Sequence, residues 1–570
     1  MMKMKIYTYL FLLIGIVLVQ SCKVGPNFLQ PEEKTSEEFR FSNNTTDSII
    51  NLKWWELFKD PVLDTLIFTA LRENKNAQIA ASRIEQARAN VGYTKADMGP
   101  KFAINASANG GNFINGQTTL NNTSNTFSTS AGINWELDFW GKFRRGNEAA
   151  KAQLLATFYG QRALEISLIS EVAYNYFQLI DYKARLDISE STLALRDSTL
   201  LIIQERFNEG YTNIIDVNQA QIQKAIAQVS IPQFKRAIAF TENNLSVLLG
   251  KTPDSIYTLK TLQDYNLPDT IPIGIPSGIL QRRPDILESQ EYYRASNANI
   301  GVAQAMRFPA ISLTGVLGVG STELSSLVSN GLGWSAGAGL VAPLFEWGKN
   351  KKRVDIEREN ALQSLLIYEN TVLNALLEVD NSLIELSTLK EELNANKAML
   401  DAANNASYLS RERYYQGVTS YLEVIENQGV EFNVKLAYSE NYQRLLSSYV
   451  FLYKSLGGGW ISPEELEKYT QQLADKQGVD VLSINKDNLF YDGQIVDLHL
   501  TPEEKQERKA PKKHNEKRTK KDENKKGRIK TINAITYLFS KANTSFYWLL
   551  FFIHILYTYF CKKIKLNARK

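Results

Sequence analysis

Residues 127–142 read Phe127-Ser128-Thr129-Ser130-Ala131-Gly132-Ile133-Asn134-Trp135-Glu136-Leu137-Asp138-Phe139-Trp140-Gly141-Lys142. From Phe127 to Phe139 the odd positions are mostly apolar or aromatic and the even ones polar or small, a period of two over 13 residues. That is the pattern of a β-strand with two unlike faces. Its length suits a tilted membrane strand with one face to lipid and the other to water. Immediately after it, Trp140-Gly141-Lys142 opens a stretch to Asn208 that contains no proline. Within that stretch Val172, Leu179, Leu186, Leu193, Leu200 and Phe207 recur every seventh residue, the stripe of a coiled coil rather than of a short globular helix. Its 67 positions would reach roughly 100 Å at the helical rise.

Working outward, the same signals return about 207 residues later. Asp138-Phe139-Trp140-Gly141-Lys142 matches Phe345-Glu346-Trp347-Gly348-Lys349, and Arg206, Phe207, Gly210, Thr212, Asp216 and Val217 match Arg413, Tyr414, Gly417, Thr419, Glu423 and Val424. Ala89-Asn90-Val91-Gly92 with Pro100 matches Ala298-Asn299-Ile300-Gly301 with Pro309. The heptads repeat as Leu365, Val372, Val379, Leu386, Leu393 and Leu400. The chain is therefore an internal duplication. Each half is expected to hold a leading helix (61–99 and 277–308), a strand pair (101–139 and 309–345), and a long helix that turns back at Gly210 or Gly417 into a second helix ending near Leu249 or Leu456. Pro232 should kink the first return helix.

Alternation also marks Phe102, Ile104, Ala106 and Ala108 in the first half. In the second half it marks Ile311, Leu313, Gly315, Leu317 and Val319, then Trp334, Ala336, Ala338, Leu340, Ala342 and Leu344. Trp135, Trp140, Trp334 and Trp347 flank these segments as an interfacial belt would. Four strands cannot close a barrel, and open edges are not tolerated in hydrocarbon, so the chain must oligomerise. A dimer, trimer or tetramer would supply eight, twelve or sixteen strands.

Composition excludes other classes. Of 570 residues, 22% are charged and 44% hydrophobic, which fits neither a disordered chain nor a bundle of transmembrane helices. The only histidines are His499, His514 and His554 and the only cysteines Cys22 and Cys561. The body thus has no thiol nucleophile, histidine base, disulfide or ordinary zinc site, and the chain is read as a non-enzyme with no cofactor or metal. Residues 501–570 carry 19 Lys+Arg against 6 Asp+Glu, a net of +13, and Lys3 and Lys5 add +2. With +4 overall, residues 6–500 hold 4 − 13 − 2 = −11, which argues against nucleic acid as a partner.

At the N-terminus, Lys3 and Lys5 precede the apolar run Tyr9 to Val19, and residues 1–21 read as an export signal. The run ends Leu18-Val19-Gln20-Ser21-Cys22, the pattern of a bacterial lipoprotein in which Cys22 becomes the acylated first residue. Residues 22–60 form a lipidated leading segment, 61–250 the first repeat, 251–276 a Pro-rich junction, and 277–460 the second repeat. Residues 461–500 are a C-terminal segment. The basic tail 501–570, with its short apolar run Phe546 to Phe560, is read as standing outside the repeated structure.

Residues 22–460 resemble the TolC-like outer-membrane efflux channels, and most closely their lipoprotein subgroup. The resemblance rests on Cys22-Lys23-Val24-Gly25-Pro26-Asn27-Phe28, on Trp54-Trp55 followed by Asp60-Pro61 and Leu63, and on Leu280-Gln281-Arg282-Arg283-Pro284-Asp285-Ile286. Phe308-Pro309 and Pro343-Leu344-Phe345-Glu346-Trp347-Gly348 complete it. It implies a mixed membrane α/β fold: a homotrimer whose 12-stranded transmembrane barrel, four strands per chain, stands in outer-membrane lipid and continues as a 12-helix coiled-coil periplasmic tunnel. It also implies passive export of small molecules, fed by a periplasmic adaptor and an inner-membrane pump of the resistance-nodulation-division type. In the family the helix-turn-helix tips meet adaptor hairpins, which assigns Arg206, Phe207, Gly210, Arg413, Tyr414 and Gly417 to adaptor contact. Asp216, Tyr414, Glu423 and Glu426 match the periplasmic aperture, while Thr419 stands where some members carry a gate arginine.

Two other classes are weighed beside this one. A lipid-anchored trimeric coiled-coil adhesin or structural protein would account for the heptads, but not for two symmetric pairs of alternating strands. A hydrolase would need a convergent polar cleft, and none is evident.

Overall fold

The structure is a computed structural model that describes residues 23–31, 39–40, 54–111, 113–114, 117–118, 124–265, 278, 282–329 and 331–458. The chain divides into two compact units, Lys23–Gln494 and a second made of Met1–Cys22 with Ile495–Lys570, and every described residue lies in the first. The signal peptide, Cys22, segment 461–500 and tail 501–570 fall outside the described residues.

Each half runs helix, strand, strand, long helix, return helix. The first half comprises α1 (Pro61–Glu73), α2 (Lys75–Ala96), β1 (Lys101–Gly111), a small hairpin β2 (Phe113–Ile114) with β3 (Gln117–Thr118), β4 (Ser124–Leu137), α3 (Lys142–Asn208) and α4 (Ile214–Leu248). The second comprises α5 (Pro284–Ala305), β5 (Ala310–Ser321), β6 (Gly333–Val341), α6 (Lys349–Tyr415) and α7 (Tyr421–Ser455). Both long helices span 67 residues and both return helices 35. The first leading segment is not one helix over 61–99. It breaks at Asn74, whose extended backbone ends α1 while its side chain accepts from the amides of Asn76 and Ala77 to start α2. No break interrupts α4, which remains helical through Pro232.

The sheet order is β1-β4-β5-β6, all antiparallel, so the two halves join through β4 and β5. Register aligns Phe102 with Ile133, Ala131 with Leu317, Trp135 with Leu313, and Leu317 with Trp334. Residues directly opposite share a face. The apolar sets of all four strands therefore form one continuous face, which also takes in Thr129 and Ser321, and most of the serine, asparagine and threonine positions form the other. On the polar face Ser107 and Ser128 hydroxyls meet at 2.8 Å.

Helices follow the strands. α2, α3, α5 and α6 pack side by side in the order of β1, β4, β5 and β6, and toward the tips the order becomes α6, α7, α3, α4. Where strand meets helix, Gly141 (φ 78°) and Gly348 (φ 80°) take the left-handed conformation that a side chain would disfavour. The main core lies midway, where Trp55, Phe58, Leu63, Ile67, Val172, Tyr176, Phe177, Leu179, Val372, Val379 and Tyr449 are buried together. Asp60 organises it. Its carboxylate caps α1 at the Val62 amide (2.9 Å) and accepts the Tyr176 and Tyr265 hydroxyls at 2.9 and 2.6 Å. Burial and the Asp60 carboxylate push both phenols well above the usual tyrosine range. Arg283 does the same for the second half, pairing with Asp285 and Glu378 at 2.6 and 2.7 Å and donating to the Ser455 carbonyl. Among the described residues no helix is long and apolar enough to cross a membrane.

Candidate functional site

Both hairpins end in the same turn. The amides of Gly210 and Tyr211 donate to the carbonyls of Phe207 and Arg206, and those of Gly417 and Val418 to Tyr414 and Arg413, so each helix stops in a Schellman motif with glycine at the left-handed position. Each return helix is then gripped by a threonine two residues past the glycine. Thr212 donates to the Asp216 carboxylate, and Thr419 to that of Glu423. The repeat that aligned these pairs in the sequence is therefore a repeat of hydrogen bonds.

The arginines break the symmetry. Arg413 stays in its own turn and pairs with Glu423 at 3.3 Å. Arg206 instead crosses to the other hairpin, its guanidinium 4.7 Å from the Tyr414 ring centre. Tyr414 also packs on Tyr421 with ring centres 5.5 Å apart. Beneath them Ile203, Val217, Ala220, Tyr421, Val424 and Ile425 form a small buried cluster that joins the two tips. Burial, with Tyr414 and Asp216 adding to it, pushes the Tyr421 phenol up to about 12.

The expected adaptor residues Arg206, Phe207, Gly210, Arg413, Tyr414 and Gly417 thus come together at one end of the molecule. Asp216 and Glu423 lie on the first turns of α4 and α7 there, and Glu426 one turn further along α7. They are not equivalent: Asp216 and Glu423 are held by their threonines, while Glu426 is exposed and has no hydrogen bond or ion pair among the described residues. Thr419, in the place of the expected gate arginine, is the donor that holds Glu423.

Above the tips lie residues that the periodicity did not single out. The buried seam of lower α3 is Ser189, Arg196 and Ile203, three residues along from the expected Leu186, Leu193 and Leu200, which are only half-buried. A coiled coil buries two positions per heptad, and the stripe of leucines tracked one of them. Arg196 is buried, donates to the Gln223 carbonyl at 2.6 Å and lies 5.1 Å from the Phe432 ring centre. Among the described residues its Nε has no hydrogen-bond partner, nor do the buried Ser407 Oγ and Gln428 Nε2. Higher on the same seam Asp181 accepts from Ser439 at 2.6 Å and pairs with Arg185, which reaches Glu440 at 3.0 Å. Burial pushes the Asp181 carboxyl up despite these partners. One sequence signal existed: the 207-residue shift places Arg196 opposite Ala403, a mismatch inside an otherwise regular repeat.

At the other end, Trp135 and Trp140 sit where strands become helices, donating to the carbonyls of Met98 (2.9 Å) and Pro309 (2.8 Å). Trp140 also stacks on Phe308 at 4.6 Å. Trp347 lies at that same end and Trp334 at the loop end of the sheet, and both are largely exposed.

A four-stranded sheet with one apolar face, drawn out into two long helical hairpins with interlocked tips, defines a membrane channel subunit. Residues 66–251 and 275–458 each match the family described as Outer membrane efflux protein, and the chain belongs to that family. It is 31% identical to the Cation efflux system protein CusC of Escherichia coli O6:H1 over 449 residues, covering 77% of this chain and 96% of that one. It is 30% identical to the Probable outer membrane lipoprotein SilC of Salmonella typhimurium, over 81% of this chain and all of that one. Its fold is similar to the outer-membrane channel OprN, with a TM-score of 0.72 at 28% identity, covering 77% of this chain and 100% of that one. The protein is the outer-membrane component of an efflux system, and the adhesin reading falls away.

Proposed function

We propose that three copies of the chain close into one conduit, a 12-stranded barrel through the outer membrane continued by a 12-helix periplasmic tunnel, through which small molecules leave passively. The observation that carries this reading is a pair of matching open edges. β1 and β6 each have one side unpaired in the sheet, which hydrocarbon does not tolerate. At the helical end the edge helices are α4 and α6, and both expose large hydrophobic residues at heptad spacing: Ile215, Ile222 and Val229 on α4, Tyr408 and Tyr415 on α6. Such stripes are half of a coiled coil, and the neighbouring copy supplies the other half.

In this reading residues 1–21 are removed and Cys22 carries lipid. Repeats 61–250 and 277–460, joined through 251–276, build the channel wall. The tips Arg206–Gly210 and Arg413–Gly417 receive a periplasmic adaptor, which links them to an inner-membrane pump of the resistance-nodulation-division type. Glu423 and Glu426, one helical turn apart, line the aperture with Tyr414 and Asp216, and Glu426 is the acid whose charge faces passing ions.

Two substitutions on adjacent residues test the barrel. Ala131→Arg places a charge on the apolar face near the middle of β4, at a cost of about 2–4 kcal/mol, whereas Ser130→Arg faces water. Membrane trimer should be lost in the first and kept in the second, as read by native gel and single-channel conductance. Equal loss would reject the assigned faces. At the aperture, replacing Glu423 and Glu426 together by Gln should lower the cation preference of the open conductance, and Asp216→Asn should lower it less. Unchanged selectivity in the double variant would leave these acids as an ordinary solvated helix face.

A further inference from the structure

The segment that follows Cys22 is bound rather than draped. Lys23 pairs with Glu148 at 2.5 Å, and the Val24 amide donates to the Trp140 carbonyl at 3.1 Å. Arg145, among the most deeply buried side chains in the molecule, spends its guanidinium on this segment. Nε donates to the Val24 carbonyl (3.1 Å), and Nη2 to the Gly25 carbonyl and the Asn27 side-chain oxygen (3.0 Å each). Nη1 goes to Glu148 at 2.9 Å, which completes the charge pairing. Partial burial opposes ionisation of Glu148, but the Lys23 and Arg145 cations beside it draw its carboxyl below the ordinary value.

The fit is also steric. Gly25 has φ 104°, and a methyl group on it would overlap the Cα of Gly301 on α5. A methyl on Gly301 would lie 2.9 Å from Arg145, and one on Gly141 3.2 Å from Lys23. Phe28 then closes the far side, edge-on to Tyr293 with centroids 5.5 Å apart and under Arg294. The duplication supplies a contrast. Gly92, the counterpart of Gly301, has open space around it, and Lys352 stands where Arg145 would recur.

We infer that α3 and α5 carry a receptor for the chain's own mature N-terminus, in which Arg145 reads the carbonyls of Val24-Gly25 and Gly301 admits the backbone. The ligand class is an extended peptide offering two successive carbonyls and an amide oxygen. The clamp holds Lys23 beside Trp140-Gly141, where β4 passes into α3. Lys23 and Val24 are therefore held at the strand-to-helix boundary by protein contacts alone. Arg145 is a positioning residue: it also ties α3 to α5, the central pair of the four helices that continue as strands.

This inference deepens the lipoprotein reading of Cys22, and its test separates the two. Hydrogen exchange is measured on the purified full-length protein in detergent. Gly25→Ala, which alters only the leader, should speed exchange of the peptide bearing the Val24 amide by about tenfold or more while the helices keep their protection. Gly92→Ala should change nothing, and Arg145→Met should reproduce Gly25→Ala. Cys22→Ala should leave that peptide protected. Protection retained in Gly25→Ala, or lost in Cys22→Ala alone, would overturn the clamp. The mass of the mature N-terminus is read separately, and an unacylated Cys22 would remove the lipoprotein reading without touching the exchange result.

Discussion

The two ends of the same helices are held together by different means. In the middle of the molecule α3, α6 and α7 contribute to one buried cluster that includes Val172, Tyr176, Leu179, Val372, Ala375 and Leu446, all apolar but for one phenol that is satisfied by Asp60. Toward the tips the buried seam becomes Ser189, Arg196, Ser407, Ser410 and Gln428, and three of their side-chain polar atoms have no hydrogen-bond partner among the described residues. Apolar burial contributes roughly 25 cal/mol per Å² removed from water, whereas a buried donor left unpaired costs about 1–3 kcal/mol. The middle is therefore held by apolar burial, and the tips, with unsatisfied buried polar atoms, cost less to separate.

The largest test of that contrast removes matched apolar bulk. Leu179→Ala should cost about 2–5 kcal/mol and lower the temperature of global unfolding. Ile203→Ala, equally buried but in the small tip cluster, should instead raise hydrogen exchange locally around the turns and leave the global transition nearly in place. An equal fall in unfolding temperature would break the comparison.

A smaller and sharper test deletes the same atom at both ends. Ser439→Ala strips a donor from the buried Asp181 carboxylate and should cost about 1–3 kcal/mol. Ser407→Ala removes a buried hydroxyl with no hydrogen-bond partner among the described residues, and it should be neutral or stabilising in denaturant titration. The opposite ranking would mean that the tip seam is no looser than the rest.

The smallest effect is one of pH. Because the Tyr421 phenol titrates near 12 rather than 10, the folded tip disfavours its ionised form. The stabilisation this implies is complete below pH 10 and is lost as pH rises toward 12. Tyr421→Phe should abolish that alkaline loss, followed by circular dichroism alongside phenolate absorbance. A Phe variant with the same alkaline transition would place the sensitive group elsewhere.

Much of this was legible in the residues. The limits of α3 followed from Gly141, Gly210 and the absence of proline between them, and the strand faces followed from alternation that register later aligned across all four strands. The tips were found because the repeat preserved Thr212 with Asp216 and Thr419 with Glu423. The break at Asn74 was missed because asparagine in a helical pattern is a weak local signal, decisive only when its side chain caps the next turn. Arg196 and Asp181 were missed because a polar residue looks solvated until its partners are known, and theirs lie on other helices.

What the sequence by itself determined is the kind, length and facing of each element, since periodicity, glycine and proline act within a few residues. Which elements become neighbours was decided only by the tertiary structure. The two halves join through β4 and β5, strands separated in the chain by α3, α4 and α5, and Arg145 finds its acceptors about 120 residues earlier in the chain. Hydrogen bonds and close backbone approach are satisfied by whatever folding brings near, and no local pattern records them.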